Sequence, residues 1–153
     1  MADDLTALED WVAPLLAKLE PSARRALAGL IARDLRRTQM RRVAAQRNPD
    51  GSAYEARKPQ RKDRRGQQPG KVRGKMFTKL RAAKHLRVRA DAVGASIGFA
   101  GRAERIARVH QFGLRDSVQK GGPDYTYPAR ELLGFTDAER ERIKDLLLEH
   151  LAA

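Results

Sequence analysis

Three histidines, His85, His110 and His150, are the first residues to weigh for proton transfer or metal binding. Imidazole is the side chain whose charge changes near neutral pH, and it is the commonest metal ligand. The three are widely separated, and none belongs to a two-histidine helical zinc motif or a Cys/His pattern. His110, beside Val109 and Phe112, reads as a packed structural histidine, and His150 falls in a last helical turn. Ser22, Ser52, Ser96 and Ser117 lack the context of a nucleophile elbow. Gly70-Lys71 and Gly74-Lys75 lack the upstream Gly and downstream Ser/Thr of a phosphate loop. Asn48, Asp50 and Ser52 imitate the start of a calcium loop, but its twelfth position is Pro59 where a bidentate Glu is required. Asp3 with Asp4, and Glu139 with Glu141 and Asp145, are accounted for by helix ends and solvated faces. The reading is therefore of a protein that is not an enzyme, with no cofactor and no metal.

What the chain does concentrate is positive charge. Arg57 to Arg89 holds 14 Lys/Arg against one acid, Asp63, so this window carries the whole formal charge of +13 and the remaining 18 bases and 18 acids cancel. A strip of that density repels itself unless it faces water, a polyanion or an acidic protein. Arg61, Lys62, Arg64, Arg65, Lys71, Arg73 and Lys75 are the candidates for contact with DNA or an acidic partner. With only 8 aromatic residues among Phe, Trp and Tyr, phosphate contact is expected ahead of base stacking. The absence of cysteine excludes disulfides and thiolate metal sites. The acidic start and the lack of a long apolar run speak against a signal peptide, a membrane span or any membrane partner.

The elements that must carry this segment follow from periodicity. Leu5, Leu8, Val12, Leu15, Leu16 and Leu19 recur at helical spacing, with Pro14 as a point of kinking. Pro21-Ser22 reads as a break followed by an N-cap, and Leu27, Leu30, Ile31 and Leu35 carry an apolar stripe into a helix running to about Gln46. Its outer face bears Arg24, Arg25, Arg33, Arg36, Arg37, Arg41 and Arg42, read mainly as a solvated face. Asn48-Pro49-Asp50-Gly51-Ser52 is turn chemistry that stops the helix. From about 57 to 74 the chain is polar, basic and broken by Pro and Gly, the pattern of a long flexible loop. Lys75 to Arg81 predicts a short helix. Leu86–Phe99 predicts a hairpin turning near Asp91-Ala92, and Ala103–Phe112 a helix ended by Gly113. Tyr125-Thr126-Tyr127 suits a strand, and Thr136-Asp137-Ala138-Glu139 is a capping box opening a terminal helix. The expected fold is one α+β domain over 1–153: N-terminal helices, a small antiparallel β-sheet packed against helices, and a C-terminal helix. His110, Gln111, Phe112 and Arg130 are candidates for a subunit interface, with Arg130 suited to a carboxylate fork.

Four stretches in order carry a resemblance: Asn48-Pro49-Asp50-Gly51-Ser52 with Arg57-Lys58, then Met76 to Arg81, Ala107 to Leu114, and Ala129 to Thr136. Together they resemble the phage virion morphogenesis family, whose best-known members are tail completion proteins of contractile-tailed phages. Ala53 departs from the proline common at that position, while Tyr54 keeps the following aromatic. The resemblance implies a neck component similar to tail terminators, which cap the tail tube and prepare it for the filled head. It also implies a homo-oligomeric ring, commonly a hexamer, with tail tube and head-connector proteins as partners. On this reading the protein assembles in the host cytoplasm and ends in the virion neck, where the charge of the basic loop suits either non-specific contact with the packaged DNA end or an acidic tube or connector ring. The rival reading from charge alone is an autonomous nucleic-acid-binding module.

Overall fold

The computed structural model describes residues 10, 11, 13–58, 74–117 and 120–153. Residues 13–17 are helical, and the chain turns at 18–20 into helix α1, Pro21–Ala44. Pro21 occupies the first helical turn, where a missing N–H costs nothing. The cap residue is Glu20, not Ser22, and it makes no side-chain capping bond, so the proline ring alone sets the entry. Ala28, Ala32, Leu35, Gln39 and Val43 form the buried stripe of α1. Leu30 falls outside it and is exposed, and the helix stops at Ala44, two residues short of the sequence expectation.

The turn after α1 is built as its residue types demand. Asp50 accepts from the Ser52 amide (2.8 Å) and hydroxyl (2.5 Å), Gly51 takes φ +87°, and Arg47 bridges Ala53 across the turn. Residues 76–81 form turns in place of the expected short helix. Phe77 there has φ +63°, a conformation that costs a bulky residue energy and is tolerated only when packing fixes it. Edge-to-face contacts with Tyr54 (5.7 Å) and His110 (4.8 Å) supply that packing.

Strands β1, Leu86–Ala90, and β2, Ala95–Phe99, form the expected hairpin, in register Leu86 to Phe99. Asp91 closes its loop by accepting from the Val93 and Gly94 amides at 2.7 and 2.9 Å. Val93 therefore sits exposed in the loop instead of in the strand where its branching would suit. Helix α2, Arg102–Phe112, ends at Gly113 in the left-handed conformation. Strand β3, Arg115–Ser117, has no hydrophobic signature; it pairs antiparallel with β4, Asp124–Thr126, as a second two-stranded sheet. Helix α3, Asp137–Ala152, opens on the full capping box of Thr136 and Glu139.

The core forms where these elements meet. Val43, Tyr54, Leu80, Ala103, Ala107 and Leu132 pack together, flanked by Met76, Phe77 and Phe99. The architecture is α+β, with β1 and β2 lying against α1 and α3 packed against the same helix. Among the described residues no helix is long and apolar enough to cross a membrane.

Candidate functional site

The four stretches that stood out in the sequence converge on one polar hub. Gln111 Oε1 accepts from the Leu132 and Leu133 amides at 2.8 and 2.9 Å, and its Nε2 donates to the Leu133 carbonyl at 2.8 Å. Asn48 Oδ1 accepts from the Glu131 amide (2.9 Å), and Tyr54 Oη donates to the Glu131 carbonyl (3.2 Å). Gln46 binds both backbone groups of Met76, at 2.7 and 3.0 Å. Glu139 is buried, yet its oxygens accept from Thr38 Oγ1, Gln39 Nε2 and the Thr136 amide. Arg42 donates to the carbonyls of Arg47, Glu131 and Leu132, so it locks the 131–136 segment onto α1 instead of solvating a face. Apart from Arg42 Nε, which is buried without a hydrogen-bond partner, the buried polar groups named here are supplied with partners, which is what such a network requires to stabilise a fold.

Arg130 is 3 % exposed, and among the described residues it forms no ion pair with a carboxylate. Its Nε and Nη2 donate to the carbonyls of Glu55 (2.7 Å) and Ala56 (2.9 Å), and Nη1 donates to His110 Nδ1 (3.1 Å). The planar guanidinium thus anchors the segment that leads into the basic stretch. Because arginine only donates, His110 must accept at Nδ1 and carry its proton on Nε2. Burial, then the Arg130 charge, pushes the His110 pKa down from 6.5 to about 4. It is a neutral structural imidazole at physiological pH. Burial likewise raises the Tyr54 hydroxyl above its ordinary range.

Beside this hub, and sharing His110 and Arg130 with it, lies a cleft of about 940 Å³ whose walls include Arg57, Lys58, Lys75, Lys79, Phe77 and Tyr125. It marks the two roots of the basic stretch: Arg57 donates to the carbonyls of Gly74 (3.1 Å) and Lys75 (3.4 Å), tying the ends together. Its floor is a run of rings in edge-to-face contact, Phe77 to His110 to Tyr127 to Tyr125, at 4.8 to 4.9 Å. Lys58 Nζ lies 4.0 Å over the Tyr125 ring. Nothing in residue spacing predicts that Phe77 would meet the Tyr125 and Tyr127 pair, since they come from two separate segments.

Of the basic candidates, Arg61, Lys62, Arg64, Arg65, Lys71 and Arg73 lie outside the described residues, and Lys75 is exposed on the cleft rim. Of the four interface candidates, His110, Gln111 and Arg130 direct their polar groups into their own chain, whereas Phe112 is 66 % exposed. A smaller basic concavity of about 430 Å³ runs along α1 between Arg33, Arg37, Arg41 and Arg81. Among the described residues no cluster of His, Asp and Glu could hold a metal ion.

Comparison with known proteins gives two findings. The model of the phage virion morphogenesis family matches residues 3–152. Tail completion protein S of Escherichia phage P2 is 41 % identical over 150 residues, covering 97 % of this chain and 98 % of that protein. No solved structure matches the chain.

Proposed function

The chain belongs to the phage virion morphogenesis family, and on that footing we propose that it is a tail completion protein, a non-enzymatic neck component that caps the tail tube and enables joining to the head. The observation that carries this reading is the 41 % identity, over nearly the full length of both chains, to a protein bearing that name. A hub whose charged and polar groups bond to backbone carbonyls and amides supports a structural role. The subunits form a closed ring, with a hexamer as the expected size, and contact tail tube and head-connector proteins in the assembled particle. Assembly takes place in the host cytoplasm.

The basic stretch is the working surface of that ring. Arg61, Lys62, Arg64, Arg65, Lys71, Arg73 and Lys75 are presented once per subunit, so closure multiplies the local positive field. Such a field meets the phosphates of the DNA end without base readout, or an acidic neighbouring ring. Phe112 is the exposed apolar candidate for contact between subunits.

Sedimentation velocity with and without duplex DNA tests the reading against an autonomous DNA-binding module. A concentration-dependent ring that forms without DNA supports it. A protein that stays monomeric at every concentration and binds duplex tightly as a monomer, with a steep salt dependence, overturns it.

A further inference from the structure

The N-terminal segment and the cleft at the roots of the basic stretch are complementary. Residues 1–11 contain Asp3, Asp4, Glu9 and Asp10 with Leu5, Leu8 and Trp11, and no Lys or Arg. Trp11 is the chain's one tryptophan and is 74 % exposed; Leu15 and Leu19, at helical spacing from it, are exposed as well. Nothing in the described chain covers this apolar stripe. Its C-terminal end is fixed elsewhere: Lys18 Nζ donates to the Leu151 carbonyl (2.7 Å), and His150 Nε2 donates to the Lys18 carbonyl (3.0 Å).

The cleft shows the opposite character. Lys75 and Lys79 stand on its rim and form no ion pair among the described residues, while Asp124, the one acid among the described residues that line it, is engaged by Arg115 at 3.3 Å. The ring floor is poorly suited to flat stacking, because successive rings meet edge to face and Lys58 lies over the ring of Tyr125. Nucleobases need an open ring face. An acidic segment with an apolar anchor needs a cationic rim over an apolar floor, which is what the cleft offers.

We propose that the acidic, tryptophan-bearing N-terminal segment of one copy docks in the cationic aromatic cleft of the next copy, closing a head-to-tail ring. This rests on the ring reading given above and assigns its interface. Segment and cleft are different surfaces of one chain, so the contact is heterologous and generates a ring when the rotation closes. It also places the roots of every basic stretch beside a subunit boundary.

Two variants of the full chain test it: Trp11→Ser, which loses the anchor, and Lys75→Glu with Lys79→Glu, which reverses the rim. All are exposed positions, and circular dichroism confirms that both variants fold. Each alone is expected to sediment as a monomer at concentrations where the wild type is a ring. Mixed one to one, they retain one intact segment and one intact cleft per pair, so dimers appear but no rings. In the wild type, Trp11 emission shifts to the blue on assembly and its quenching by acrylamide falls by about threefold or more, as expected for a burying indole. A wild type that never assembles defeats the ring reading and this inference together. Assembly of either variant like wild type, or a mixture that stays monomeric beside an assembling wild type, overturns this inference alone. Loss of DNA binding in the lysine variant with its ring intact also overturns it, assigning the cleft to nucleic acid.

Discussion

His110 shows how a residue type suited to chemistry is committed to structure. Its imidazole titrates near 6.5 in the unfolded chain and near 4 when folded, so between those values the unfolded chain holds more proton. The His110 contribution to stability is complete above about pH 6.5 and is lost as pH falls towards 4. Discounted for partial solvent access, the loss between pH 7 and pH 5 is about 1 kcal/mol. Urea unfolding at the two pH values is expected to show that difference in the wild type and to show it reduced in His110→Asn, whose amide oxygen stands near the Nδ1 position. Arg130→Lys keeps the charge but not the planar fork, leaving carbonyls of Glu55 and Ala56 without donors. The expected cost is about 2 to 4 kcal/mol in urea unfolding at pH 7. A carboxylate partner was the natural expectation for Arg130 from sequence, because a guanidinium pairs with carboxylates most visibly. That its partners are main-chain carbonyls from 74 and 75 residues away has no sequence signature.

At the scale of elements, local chemistry was legible and tertiary chemistry was not. The Thr136 capping box, the Gly113 helix end and the β1–β2 hairpin each depend on a few adjacent residues, and each stands where its residues put it. Thr136→Ala is expected to cost about 1 kcal/mol, read as a lowered urea midpoint with unchanged slope. Strand β3 was missed because Arg115, Asp116 and Ser117 carry no alternation; its pairing is held by the partner strand and by the Arg105–Asp116 ion pair. The apolar spacing of 76–81 is helical, yet the segment forms turns because Gln46 captures both backbone groups of Met76 and Phe77 adopts a positive φ. The close approach of the 48–52 turn to the 131–136 segment was equally silent. A Cβ on Gly134 would lie 2.5 Å from Pro49 Cγ, so Gly134→Ala is expected to destabilise by about 1 to 3 kcal/mol in the same assay.

For the whole molecule, the balance of charge was readable from sequence and the site was only half readable. The sequence located the cationic window, but the cleft that roots it is assembled from residues as distant as Lys58 and Tyr127. Replacing Arg61, Lys62, Arg64 and Arg65 with glutamates is expected to leave the unfolding midpoint unchanged while lowering the yield of infectious particles by about tenfold or more, since exposed charges add little to stability and much to association with a polyanion. Normal yield would make the stretch a passive solubilising segment. The most direct measurement of the central claim is electron microscopy of particles assembled without this protein. Tail completion predicts filled heads beside unattached tails, or tails of uncontrolled length. Intact, joined virions in normal number would contradict it.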